Sequence, residues 1–195
     1  AMLSKTPTFP NGGWQYPFDF GNGIIAPTFT EALKKVHPFR KDLMVKYFNH
    51  THKSRLSKIS VLDLGACEGA MALALWQNGL RDITCVEPRS ANIKRGEFVK
   101  KFHSANYKFV QDTAENFLKT NKRNFDLTIL GQLIWIVSNP IWLMKKIGQI
   151  TNEEIILETV IAKTSPLKIE NSKNYAPTNA AFFIREIKQE IDTGS

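Results

Sequence analysis

The sequence predicts an α/β protein with an open, mostly parallel sheet covered by helices on both faces, in three layers. Two observations carry that prediction. From residue 59 onward, short β-branched and apolar runs alternate with helix-like runs, the pattern of repeated strand–helix–strand crossovers. At the first crossover, Asp63-Leu64-Gly65-Ala66-Cys67-Glu68-Gly69 places two glycines between a buried strand and a helix, as a tight turn of that kind requires. The chain has 195 residues, 43% of them hydrophobic. That suffices for one domain with a sizeable core and is too apolar for a disordered chain.

In order along the chain, the first ~30 residues read as a loop-like arm. Gly12, Gly13, Pro17, Gly21, Gly23 and Pro27 punctuate it, and Trp14, Tyr16, Phe18 and Phe20 recur at every second position. Such an arm either packs on the domain as an aromatic cluster or forms a lid over a ligand. Thr30 is placed to cap a helix carrying Leu33, Val36 and His37, which Pro38 should break or kink. A second helix is expected over 39–48, then a polar, basic surface connection over 49–58. Strands are expected at 59–64, 82–87, 107–111, 125–130 and 154–161, with helices at 69–78, 90–102, 113–120 and 139–148 between them. A last helix is expected over 178–191, after Pro177. Residues 1–58 thus form an arm and helices that cap the same unit, and 59–195 form the ligand-binding domain.

Composition removes several classes. Two cysteines cannot make a disulfide scaffold, and neither Cys67 nor Cys85 has metal-ligand spacing. The longest apolar stretch, 127–137, is interrupted by Gly131 and Gln132 and is too short to span a bilayer. The first residues lack the order of a signal peptide, so a cytoplasmic location is expected. The net charge of +8 favours phosphates, nucleic acid or acidic membranes as partners, but it also follows from the base composition of a Lys- and Asn-rich genome.

Chemistry should sit at the glycine turn. Glu87 ends the next strand, 22 positions after Gly65, where a carboxylate can accept hydrogen bonds from ribose hydroxyls. A dinucleotide fingerprint starting at Gly65 needs glycine at 67 and 70, and the chain has Cys67 and Ala70. A bound pyrophosphate is therefore disfavoured. The turn reads D-x-G-x-x-x-G, with Asp63 inside the end of the strand.

This turn resembles the first motif of the class I, Rossmann-like, S-adenosylmethionine-dependent methyltransferases. Cys85-Val86-Glu87-Pro88, Val110-Gln111-Asp112-Thr113-Ala114 and Phe125-Asp126-Leu127 through Gly131-Gln132-Leu133 resemble the family's next segments, in the right order. Trp14-Gln15-Tyr16 and Tyr175-Ala176-Pro177 are similar to segments of members acting on transfer RNA, glycans or small molecules. The resemblance implies S-adenosylmethionine as cofactor and S-adenosylhomocysteine as product. It places Asp63, Gly65, Ala66, Cys67 and Gly69 at the methionine part, Glu87 and Pro88 at the ribose, and Asp112, Thr113 and Ala114 at the adenine. Gln132 and Leu133 would flank the sulfonium, and Arg40 would pair with the methionine carboxylate or sit on a solvated helix face. Trp14, Tyr16, Trp135 and Tyr175 would meet the acceptor. Glu158, at the end of the fifth strand, is the candidate general base, with a structural hydrogen-bonding role as the alternative.

The chain also departs from the family. Cys67 replaces the commoner middle glycine, and Trp135-Ile136 stand where relatives often carry Tyr-His. The usual C-terminal antiparallel hairpin is expected to be missing. That implies either a domain excised from a longer protein or another chain, such as a second copy, completing the sheet edge. Three functions stay open: a small-molecule or glycan methyltransferase, an RNA-modifying one, and a non-catalytic cofactor-binding domain. For RNA, Lys53, Arg55 and Lys58 with Lys94, Arg95, Lys100 and Lys101 would track phosphates.

Overall fold

The computed structural model describes residues 5, 7–9 and 13–160, and the backbone of 180–186. Six strands form one sheet in the order β3-β2-β1-β4-β5-β6. They are β1 (Ser60–Leu64), β2 (Asp82–Val86), β3 (Lys108–Val110), β4 (Phe125–Gly131), β5 (Thr151–Val160) and β6 (Ala180–Glu186). The first five pair in parallel and β6 pairs antiparallel to β5. The helices are α1 (Glu31–Thr51), α2 (Ala70–Gln77), α3 (Ser90–Phe102), α4 (Ala114–Thr120) and α5 (Pro140–Ile150).

Strand β1 is buried on both faces, with Val61, Leu62 and Leu64 closed to solvent. That explains why the strand is apolar apart from Ser60 at its start and Asp63 near its carboxyl end, since a central parallel strand has no solvent side. One face of the sheet packs under the arm, α1, α2 and α3 through Phe20, Met44, Phe48, Leu75 and Val99. The other packs under α4 and α5 through Phe117, Leu118, Leu143 and Ile147. Thr113 Oγ1 caps α4 by accepting from Asn116 N at 3.1 Å, and Asn139 Oδ1 caps α5 by accepting from Trp142 N at 2.9 Å.

Three expectations are corrected. Pro38 does not split the first helix: α1 runs unbroken across it. Proline removes one amide donor, but the residue four back, Lys34, is exposed, so the freed carbonyl can be hydrated. The buried stripe His37, Arg40, Met44 and Phe48 anchors the helix on both sides of the ring. Thr30 precedes α1 without a side-chain capping bond. The last helix is not formed over 180–186; that segment is β6, and the rest of 178–191 lies outside the described residues. Alanine-rich local propensity lost to the open edge of β5, whose backbone groups need partners. Among the described residues one antiparallel strand, β6, therefore follows the parallel five, and the rest of the segment expected to lack a hairpin lies outside them.

The arm folds back on itself. Phe20 N donates to Ile24 O and Ala26 N to Phe18 O, around Gly21, Asn22 and Gly23, all at positive φ. Trp14, Phe18 and Phe20 form an edge-to-face cluster that reaches Phe98 and Phe102 of α3.

Helix α3 lies against the glycine turn because residue 96 has no side chain. A Cβ there would stand 2.5 Å from Phe109 Cζ and 2.9 Å from the Glu68 carbonyl oxygen. Gly96→Ala is expected to destabilise the fold by about 1–3 kcal/mol through overpacking, seen as a lower urea midpoint at unchanged slope.

Candidate cofactor-binding site

The carboxyl ends of β1, β2 and β4 meet where the strand order reverses about β1, the place where open α/β sheets bind ligands. The turn after β1 needs two left-handed glycines, Gly65 at φ +76 and Gly69 at φ +74. Cys67 lies between them at φ 54, a costly conformation for a residue with a Cβ. Gly69 also answers to space, since a Cβ there would stand 2.8 Å from Phe109 Cζ. The turn's amides are spoken for. Gly65 N and Ala66 N both donate to Val86 O, at 2.9 and 3.1 Å, and Cys67 N donates to Glu87 Oε2 at 3.0 Å. The amide donors of Gly65 and Ala66 thus close the turn rather than facing a ligand.

A small cavity opens here, lined by Tyr16, Arg40, Asp63, Gly65, Met71 and Glu158, among others. Asp63 is 5% exposed, and its Oδ2 has no hydrogen-bond partner. Burial, then the neighbouring Glu87, push its carboxyl from the usual 3.8 up to about 7. The folded state therefore holds this proton where the unfolded chain releases it. The group's contribution to stability falls as pH rises from about 4 to about 7.

Arg40 and Glu158 pair directly in the cavity lining. Arg40 Nη2 donates to Glu158 Oε2 at 2.5 Å, and Gln132 Nε2 donates to Glu158 Oε1 at 2.9 Å. Arg40 Nη1 lies 2.9 Å from His37 Nδ1, and the His37 ring packs on Tyr16 with centroids 4.1 Å apart. Burial, then the Arg40 charge, lower His37 to about 4, so it is neutral at pH 7. Burial raises the Tyr16 hydroxyl above its usual range. Two sequence expectations change as a result. The Arg40 guanidinium is held by a carboxylate of the protein, and it lies on the buried face of α1 rather than a solvated one. Glu158 is an anchor for two side chains rather than a free proton acceptor.

Gln132 sits at φ 56 at the end of β4, its N donating to Glu158 O at 2.8 Å. Its Oε1 accepts from Trp135 Nε1 at 3.3 Å. Trp135 is 59% exposed, and Leu133 Cδ1 lies 3.6 Å from the Cβ position of Gly65. Glu87 is fully enclosed, whereas Pro88 is exposed. Asp112 accepts from Thr113 N at 2.8 Å and from Asn116 Nδ2, and Ala114 is buried beside it. Burial, then Glu68 and Glu87, push the Cys67 thiol up to about 12, so it is no thiolate nucleophile. Trp14, expected at the acceptor, is only 3% exposed within the arm's aromatic core and donates from Nε1 to Pro7 O at 3.4 Å. Tyr175 lies outside the described residues.

Glu68 was not singled out from the sequence. It is fully buried and pins the arm to the glycine turn by accepting from Gln15 N at 3.0 Å and Tyr16 N at 3.1 Å. Arg95 Nε donates to the same carboxylate at 2.8 Å. The only sequence signal was a carboxylate inside a turn otherwise built of small residues. Among the described residues no group of three or more His, Cys, Asp or Glu could hold a metal, and no helix is long and apolar enough to cross a membrane.

Residues 62–154 match the family described as methyltransferase domain. The ubiquinone biosynthesis O-methyltransferase of Rickettsia akari is 23% identical over 70% of this chain and 49% of its own length. The chain thus spans about half the length of the curated relatives it matches. The N-terminal domain of EvdMO1, solved with SAH (S-adenosylhomocysteine) bound, is 25% identical at a TM-score of 0.61, covering 75% of this chain and 59% of that one. The magnesium protoporphyrin IX methyltransferase ChlM from Synechocystis PCC 6803, solved with bound SAM, shares the fold at 15% identity and a TM-score of 0.59, over 69% of this chain and 65% of that one. With the parallel sheet, the glycine turn and the matched segment all in place, residues 62–154 carry a methyltransferase domain with the Rossmann-like fold of S-adenosylmethionine-dependent methyltransferases.

Proposed function

We propose that the chain binds S-adenosylmethionine at the carboxyl ends of β1, β2 and β4, and that it serves methyl transfer to an oxygen or nitrogen of a small-molecule or glycan acceptor. The observation that carries the reading is the orphaned Asp63 Oδ2, a buried carboxylate oxygen facing no donor of the protein. A cofactor with an ammonium and no phosphate satisfies it; a pyrophosphate would be repelled.

In this reading Glu87 and Pro88 take the ribose, and Asp112, Thr113 and Ala114 take the adenine. Gln132 and Leu133 flank the sulfonium. The cofactor, when bound, supplies a methyl group on a good leaving group. The chain's own task is to align the acceptor and keep water out. Tyr16 roofs the cavity. Residues 1–58 act as a cap of the same unit as 59–195, a reading supported by the Glu68 bonds to the arm. With Glu158 engaged by Arg40 and Gln132, the acceptor best suited is one that is nucleophilic at neutral pH without a protein base.

Two observations support a small acceptor. Relatives carry names that refer to ubiquinone biosynthesis and to magnesium protoporphyrin IX. Of the cations offered for RNA, Arg95 is buried on Glu68, Arg55 is paired with Glu153, and Lys100 is paired with Glu97.

Calorimetric titration tests the reading. S-Adenosylmethionine and S-adenosylhomocysteine are expected to bind saturably, and NAD is not. Binding should tighten and release protons as pH rises through about 7, because the ligand's ammonium favours ionised Asp63. Folded protein that binds neither compound would overturn the proposal. Salt-sensitive retention on RNA would replace the small acceptor with RNA.

A further inference from the structure

One oxygen of the carboxylate proposed to hold the ribose, Glu87 Oε1, is already full. A carboxylate offers about four lone-pair sites. Glu87 receives four donors: Cys67 N on Oε2 at 3.0 Å, and on Oε1 Arg89 N at 3.0 Å, Arg89 Nε at 2.7 Å and Asn92 Nδ2 at 3.1 Å.

Three of these donors are fixed. Two are backbone amides. The third belongs to Asn92, a buried residue of α3 whose Oδ1 in turn accepts from Arg95. The Arg89 side chain differs. It is 65% exposed while Glu87 is 1% exposed, and its other side-chain contact here is a long one of 3.7 Å to Cys67 Sγ. It can return to water at little cost, and it is the only one of the four that can.

We propose that the Arg89 guanidinium stands in for a ribose hydroxyl on Glu87, and that the cofactor binds as Arg89 swings out to solvent. This rests on the cofactor reading above. Arg89 then lowers cofactor affinity by competing with the ligand. It also keeps the buried Glu87 carboxylate neutralised while the site is free. The competition depends on salt, because the outgoing group is an exposed cation whose pairing is screened.

The test is titration of wild type and Arg89→Ala with S-adenosylhomocysteine, a ligand of no net charge, at low and at high salt. Circular dichroism checks that both are folded. Arg89→Ala is expected to bind about two- to fivefold tighter at low salt, and the gap should narrow at high salt. Equal or weaker binding by Arg89→Ala at both salt concentrations would overturn the stand-in role and leave the cofactor reading intact. If neither protein binds the compound, both readings fall together.

Discussion

Arg40→Ala is expected to lower the unfolding free energy by about 3–5 kcal/mol, the usual cost of removing one partner from a buried ion pair. Both groups are almost closed to solvent. Alanine would leave the Glu158 carboxylate buried with Gln132 as its remaining side-chain donor, and would strip His37 Nδ1 of its partner. The loss should appear as a lower urea midpoint. A double variant, Arg40→Met with Glu158→Gln, should recover most of it, because removing both charges removes the uncompensated one. If Arg40→Ala were neutral, the pair would not be holding α1 to the end of β5.

Glu87→Ala is expected to weaken binding of S-adenosylmethionine and S-adenosylhomocysteine by about 1.5–3 kcal/mol, the range for hydrogen bonds to a charged group, or roughly ten- to a hundredfold. Calorimetry on folded protein measures it. The variant also deprives Cys67 N and Asn92 Nδ2 of their acceptor, so some loss of stability should accompany it. Unchanged affinity would remove Glu87 from the ribose and with it the stand-in role of Arg89.

Much of this was legible in the sequence. The parallel strands and the helices between them follow from periodicity, because a strand buried on both faces is mostly apolar and a helix packed on one side must repeat near 3.6 residues. The candidate site was read from Gly65, Gly69 and Glu87, because a turn with left-handed backbone leaves few residue choices. The alternation of arm aromatics announced a cluster but not which ring was core, since Trp14 and Tyr16 look alike in sequence and differ only in what surrounds them.

The sequence by itself determined the fold class and the turn and disfavoured a pyrophosphate, because these depend on local backbone demands and on spacing. Only the tertiary structure decided the partners of charged groups. It placed Arg40 on Glu158 across 118 residues, Glu68 under the arm and Arg89 on Glu87. It also turned 180–186 into a strand. Each of these outcomes is set by which long-range neighbour offers the missing hydrogen bond, and no local pattern encodes that neighbour.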